Sequence, residues 1–274
     1  METHHLALEI AHAYASRSMI APLSSRGTDV DLDRAYEIQT ELVRMRRAEG
    51  HRTVGVKVGY ANKAVWRVMK LSTVVWGQMY DDTVRAARGG AADLPLARMI
   101  QPKIEPEIVF KLSRPLGTEP LASPRTAEEI LGFVEWIALG FEIIDCPFPD
   151  WKFHPVDFVA AYGVHAGLVY SEPLAVTTAN IPHLVDELAT FTVRLSKDGA
   201  LVAEGSGKNV LKSPALSLAE LDQAIAHRSG AEPLAAGALV SSGTLTDSKL
   251  IAPGDTWRAD VDGIALAPAT VVCV

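Results

Sequence analysis

Ile104-Glu105-Pro106-Glu107-Ile108 alternates apolar and acidic residues, and that two-residue period predicts a β-strand. Ile104 and Ile108 then share one face, and Glu105 and Glu107 share the other, about 7 Å apart from the strand rise. Two carboxylates so placed repel each other unless they are solvated or share a cation, and hard oxygen donors suit Mg²⁺, Mn²⁺ or Ca²⁺. A solvated strand face with an edge proline accounts for the same five residues.

Similar apolar, often valine-rich runs separated by Gly, Pro and Asp dominate the chain after residue 75. They are Leu96–Ile100, Ile104–Lys111, Gly140–Ile144, Val156–Tyr170, Thr190–Leu195, Leu201–Glu204, Leu239–Ser242, Thr256–Val261 and Ala269–Val274. Their spacing predicts a twisted, mostly antiparallel β assembly. Two helices are expected to interrupt it, each opened by a capping box: Thr126 with Glu129, and Ser217 with Glu220, the second ending at Gly230. Before residue 75 the pattern is helical. Leu32, Ala35, Ile38, Leu42 and Met45 recur at three- and four-residue steps with Gly50 as the stop, and Leu6–Ser16 reads as an earlier Ala-rich helix. A connection covers 19–30, a short β-prone run covers Thr53–Gly59, and a weaker helix covers Lys63–Leu71. The expected fold class is α+β, with a small, mainly helical N-terminal part (1–75) and a β-rich catalytic body (76–274).

The chain has 274 residues, 48 % hydrophobic and 22 % charged, a globular composition able to bury a sizeable core. Lys and Arg number 26 against 33 Asp and Glu, a net charge of −7 that argues against nucleic-acid binding but says nothing against a small anionic substrate. Two cysteines, Cys146 and Cys273, are too few for a disulfide scaffold and suit a reducing compartment. The longest apolar run, around Trp136–Ile144, is broken by Gly140 and Glu142, so no membrane helix is expected. The N-terminus lacks the basic region of a signal peptide. The expectation is a cytoplasmic protein.

Glu142 is an acid inside an apolar run and therefore needs a partner, either a Lys or Arg or a cation shared with Glu105 and Glu107. Lys57, between Val56 and Val58, either guards an edge strand or is held beside an anion, where it can donate a proton or stabilise charge. Asp81-Asp82 reads as turn chemistry, and Lys152 as a surface residue beside a turn set by Pro147 and Pro149. His154 or His165 could supply a base, or serve as a structural hydrogen-bonding residue.

Ala35-Tyr36-x-Ile38-Gln39, Gly55-x-Lys57-x-Gly59 and Met79-Tyr-Asp81-Asp82 resemble the N-terminal half of the 2-oxopent-4-enoate (2-hydroxypentadienoate) hydratases. Glu105-x-Glu107, Glu142-Ile-Ile-Asp145, Asp150-Trp-Lys152 and Asp157-x-Val-Ala continue the resemblance. Gly205-x-Gly207, Ser213-Pro214, Ser242-Gly243-Thr244 and Pro253-Gly254-Asp255 complete it, over about residues 30 to 265. The related 4-oxalocrotonate decarboxylases share the pattern, and both groups belong to the fumarylacetoacetate hydrolase superfamily. The resemblance implies a mixed β-roll body and a Mg²⁺ or Mn²⁺ ion held by Glu105, Glu107 and Glu142. It implies proton handling by Lys57 and Asp81, and substrate binding by Asp82, Lys152, His165, Ser242 and Thr244. The implied activity is a metal-dependent hydratase or decarboxylase of 2-hydroxy-2,4-dienoates, working through a metal-stabilised enolate in the catabolism of aromatic or related compounds. The alternatives are a C–C hydrolase of acylpyruvate-like diketo acids, and a non-catalytic partner in a decarboxylase–hydratase complex. The implied partners are a small anionic 2-oxo acid and further copies of the chain or a related enzyme. The sequence departs from the pattern at Ala161-Tyr-Gly-Val-His165, where Asp-Asn-Ala-Ser-Ser is common, and at Gly59-Tyr-Ala-Asn62, where Gly-Leu-Thr-Ser is usual. Both departures leave substrate identity open.

Overall fold

The computed structural model describes residues 2–27, 30–87 and 89–274. It begins with helices α1 (Glu2–Ser16) and α2 (Leu32–Ala48), the second N-capped by Asp31, whose carboxylate accepts from the Arg34 amide. Strand β1 (Thr53–Gly59), helix α3 (Lys63–Met69) and strands β2 (Val75–Tyr80), β3 (Val84–Ala86) and β4 (Ala91–Leu94) follow. The central stretch supplies β5 (Lys103–Leu112), α4 (Ala127–Leu131), β6 (Val134–Ile144), α5 (Pro155–Ala160), β7 (His165–Tyr170) and β8 (Leu174–Ala175). The C-terminal third supplies α6 (Ile181–Thr190), β9 (Thr192–Lys197), β10 (Ala200–Ser206), α7 (Pro214–His227), β11 (Leu239–Ser241), β12 (Lys249–Leu250), β13 (Thr256–Asp262) and β14 (Ala269–Cys273).

The strands form two mixed sheets, as the α+β β-roll expectation requires. One runs β2-β1-β11-β5-β6-β7-β3, with β12 added beside β5 and β8 beside β6; the other runs β10-β9-β13-β14-β4. Most pairs are antiparallel, and β1–β11, β3–β7 and β4–β14 are parallel. Ile104 and Ile108 are fully buried on one face of β5, as the alternation predicts, and Phe110 and Phe141 join the same core. Burying each such side chain contributes roughly 1.5–3 kcal/mol. The expected boundary after residue 75 falls at the start of β2, which is hydrogen-bonded to β1 along Thr53–Gly59. β1 in turn lies between β2 and β11, and one core cluster takes in Leu6 and Ile10 of α1 together with Phe110 and Trp257 of the body.

Several local expectations change. Leu96–Ile100 is not a strand: the amides of Ile100 and Gln101 donate to the Asp145 carboxylate rather than to a neighbouring strand. Val156–Tyr170 divides into α5 and β7, because Pro155 starts a helix and the Asp157 carboxylate accepts from the His154 amide. The Thr126–Glu129 capping box opens α4 as expected. Ser217, however, lies inside α7, which is N-capped at Ser213, and its hydroxyl donates to the Ser242 carbonyl. Among the described residues, no helix is long and apolar enough to cross a membrane.

Candidate active site

The site is assembled by strand register. Glu105 on β5 stands directly opposite Glu142 on β6, and Glu107 stands opposite Gly140. The period of two places Glu105 and Glu107 on one face, and Glu142 joins them from the partner strand. Carboxylate oxygens of the three residues lie within 4.8 Å of one another. Lys57 on β1 arrives through β11: it is registered with Ser241, and Ser241 is registered with Val109 of β5.

The hydrogen bonds around this triad are specific. Lys57 Nζ donates to Glu142 Oε2 at 2.7 Å, and His165 Nδ1 lies 3.1 Å from Glu142 Oε1. On its other side His165 Nε2 lies 3.0 Å from the Thr83 hydroxyl. A neutral His165 satisfies both contacts when Nδ1–H donates to Glu142 and Nε2 accepts from Thr83. The Ser241 hydroxyl (2.6 Å) and the Gly243 amide (2.8 Å) both donate to Glu107 Oε2. The Lys57 stem is covered by a close backbone approach, since a Cβ on Gly163 would stand 3.0 Å from Lys57 Cδ and 2.9 Å from Gly77 Cα. Lys57 Nζ also sits 5.1 Å from the centroid of the Phe158 ring.

Burial and charge oppose each other here. Lys57, Glu107 and Glu142 are 2 %, 1 % and 0 % exposed. Burial disfavours the Lys57 ammonium, but Glu142, Glu105 and Glu107 together outweigh it and hold its pKa above the ordinary lysine value. Burial likewise opposes ionised Glu142, and Lys57 and His165 reverse that, holding its pKa below the usual value. Glu105 has no such rescue: burial and Glu142 outweigh the pull of Lys57 and push it up to about 7. Burial, Glu142 and Glu105 push Glu107 well above the carboxylate range. Fully ionised, three carboxylates and one ammonium leave two negative charges uncompensated, and the raised values of Glu105 and Glu107 express that excess. A divalent cation balances them, and the all-oxygen donor set matches Mg²⁺ or Mn²⁺.

A pocket of about 600 Å³ opens over this cluster, lined by Lys57, Glu105, Glu107, Trp151, Phe158 and Thr244 among others. A larger cavity of about 750 Å³ lies between α2 and the 228–232 turn, and is lined by paired charges such as Arg47–Glu232 and Arg228–Asp33. Among the described residues it offers no comparable cluster of unbalanced acids.

The structure brings together Lys57, Glu105, Glu107, Glu142 and His165, and puts Thr244 on the pocket wall. His165 is placed one layer behind the pocket: it touches Glu142 rather than the open space, because both ring nitrogens are occupied. The other expected residues lie elsewhere. Asp81 and Asp82 follow β2 at the Thr53 end of β1, roughly 13 Å of strand from Lys57. There Asp81 accepts from the Arg52 amide and side chain, and Asp82 pairs with Arg46 at 2.7 Å. His51 completes a second acid cluster with them, but the two arginines already supply its cations. Lys152 is exposed and pairs with Asp150 at 3.2 Å. The positive φ of Asp150 and Trp151 turns the chain so that Trp151 faces the pocket instead. Ser242 is buried against α7, and it is Ser241 that reaches Glu107. His154 precedes α5 and is exposed. Sequence reading also missed Thr83 and Phe158. The one signal available was the buried-strand character of Val240-Ser241, whose register decides which serine faces the site.

The family profile described as Fumarylacetoacetate (FAA) hydrolase C-terminal matches residues 53–272. A 2-hydroxyhexa-2,4-dienoate hydratase of Comamonas testosteroni is 30 % identical over 258 residues, covering 92 % of this chain and 90 % of that protein. A 4-oxalocrotonate decarboxylase of Pseudomonas sp. (strain CF600) is 28 % identical over 268 residues, covering 97 % and 96 %. Among solved structures, 4-oxalocrotonate decarboxylase from Pseudomonas putida G7, complexed with magnesium and adipate, superposes with a TM-score of 0.87. It is 24 % identical, and the match covers 100 % of this chain and 97 % of that one, establishing a shared fold.

Proposed function

The chain belongs to the fumarylacetoacetate hydrolase family, and from that membership together with the charge balance of its site we propose that it is a divalent-metal-dependent lyase. Its substrates are 2-hydroxy-2,4-dienoates or the corresponding 2-oxo acids, which it hydrates or decarboxylates, in the catabolism of aromatic or related compounds. The observation that carries this reading is the Glu105–Glu107–Glu142 cluster, with Glu107 and Glu142 buried and Lys57 as its only paired ammonium among the described residues.

Glu105, Glu107 and Glu142 would hold Mg²⁺ or Mn²⁺. Such an ion supplies Lewis-acid polarisation of the substrate's 2-oxygen, the atom on which negative charge develops in both hydration and decarboxylation. Ser241 and the Gly243 amide fix the orientation of Glu107, and His165 and Lys57 fix that of Glu142. The Lys57 ammonium remains charged at neutral pH and lines the pocket. It is therefore placed to stabilise developing negative charge and to present a proton at Nζ. The aromatic wall of Trp151, Phe153 and Phe158 limits water around the reacting carbons. Asp81, held by Arg52 away from this pocket, takes no part in the reaction.

The C–C hydrolase reading requires a histidine free to activate water. His165, the histidine at this site, has both ring nitrogens engaged. Under the lyase reading the partners are a small anionic 2-oxo acid and, as the sequence suggests, further copies of the chain or a related enzyme, in a cytoplasmic setting. The test is to follow the dienol absorbance of 2-hydroxypenta-2,4-dienoate with purified protein and Mg²⁺. Loss of absorbance that stops on chelation is the expected result. No metal-dependent turnover of this dienoate or of 4-oxalocrotonate would overturn the reading.

A further inference from the structure

The triad and Lys57 engage the 2-oxo acid end of a substrate, and the remaining walls bear on its other end. One side of the pocket is apolar and largely aromatic, formed by Tyr60, Ile144, Trp151, Phe153 and Phe158. The other carries two further acids, Glu204 of β10 and Asp247 in the loop before β12. Both are exposed at the pocket, and neither carboxylate is drawn into an ion pair among the described residues. Lys57 is the only cationic side chain among the described residues lining the pocket, and its Nζ is committed to Glu142 at 2.7 Å. Lys103 does not line it; its ammonium lies over the Trp151 ring, 4.3 Å from the centroid. The Asn209 side-chain amide is spent on the Leu245 carbonyl.

The relatives divide at this end of the molecule. A hexadienoate carries one carboxylate, whereas oxalocrotonate and adipate carry a second at the far end. Resting on the lyase reading above, we propose that this chain selects monocarboxylic 2-oxo acids and 2-hydroxydienoates with an apolar tail. Glu204 and Asp247 are its specificity determinants against dicarboxylates. The tail packs on the aromatic wall, while a distal carboxylate meets like charge where, among the described residues, no cationic side chain besides Lys57 lines the pocket to receive it. Both side chains are exposed, so each such pair about 6 Å apart acts at a nearly water-like dielectric constant and weakens binding roughly 3-fold, the two together roughly tenfold. The selection also chooses the reaction. A substrate without a second carboxylate has none to lose as carbon dioxide, so the chain adds one water and releases nothing.

The experiment compares 2-oxohexanoate with 2-oxohexanedioate, matched in length and head group, by calorimetric titration of the Mg²⁺-loaded protein. The expected result is that the monoacid binds at least about tenfold more tightly, and that Glu204→Gln combined with Asp247→Asn narrows the gap by strengthening dioate binding. Equal or tighter binding of the dioate by the unaltered protein overturns the proposal. A gap that persists undiminished in the double variant overturns the assignment to Glu204 and Asp247. Failure of both acids to bind overturns the lyase reading itself, and the selectivity built on it.

Discussion

Lys57→Met separates the roles of the one ammonium paired with the carboxylate cluster among the described residues. The methionine retains most of the aliphatic stem that packs beneath Gly163 and Gly77, so the change is mainly one of charge. In the metal-free protein it removes the ammonium partner of Glu142 at 2.7 Å. Breaking a buried pair by deleting one partner costs about 3–5 kcal/mol, which for a chain of this size lowers the melting midpoint by roughly 5–9 °C. The effect on metal binding has the opposite sign. Lys57 and a bound cation compete for Glu142 and repel each other, so the variant should bind Mg²⁺ at least as tightly as the unaltered protein. Mg²⁺ should accordingly restore more of the variant's midpoint than it adds to the unaltered protein's. Turnover should nonetheless fall by about 100-fold or more, because the charge-stabilising and proton-presenting group is gone. Three measurements check this: scanning calorimetry with chelator and with Mg²⁺, calorimetric Mg²⁺ titration, and the dienol absorbance assay. Near-normal turnover, or metal affinity that falls in parallel with turnover, would refute the reasoning.

Glu107→Gln keeps the shape of the side chain and its contact with Ser241, yet removes a charge from the oxygen set; Mg²⁺ affinity should drop by about 100-fold or more and activity with it, while unchanged affinity in a titration would remove Glu107 from the ligands. Metal-free protein should lose stability as pH rises from about 4.5 to 7. The folded state keeps Glu105 protonated up to about 7, whereas the unfolded chain releases that proton near 4.5, so the folded state binds more protons in this window. The loss is on the order of 3 kcal/mol, and Mg²⁺ should abolish the slope; a midpoint independent of pH in chelator would contradict the raised pKa. Asp81→Asn should leave turnover within about threefold, since its carboxylate serves Arg52; a loss comparable to that of Lys57→Met would return Asp81 to the reaction.

The parts of the site legible in the sequence were those encoded by short periods. Glu105 and Glu107 share a face because β-strand side chains alternate, and Glu142 stood out as an acid in an apolar run. Their meeting depended on the β5–β6 register, which no local pattern states. Asp81 shows the same limit: the resemblance pairs its role with Lys57, but it follows β2 at the Thr53 end of an antiparallel pair, away from Lys57. Lys152 lies outside the pocket and Trp151 lines it instead, because Asp150 and Trp151 both take positive φ, a conformation that neither side chain signals. Ser241 and Ser242 differ by one residue and therefore by one face. The strand reading of Leu96–Ile100 failed where a distant carboxylate, Asp145, captured the backbone amides.

The parallel pairing of β1 with β11 sets Gly55 beside Leu239 and Lys57 beside Ser241. Every contact of this kind closes a very long loop, and topologies dominated by such contacts fold slowly. On the ribosome, Lys57 and all three glutamates emerge well before Ser241 and the Gly243 amide that steady Glu107. A partly synthesised chain therefore carries the acids without the donors that orient them. If the triad takes the divalent ion proposed for it, strong capture would mark a finished chain, because Ser241 and the Gly243 amide are made last.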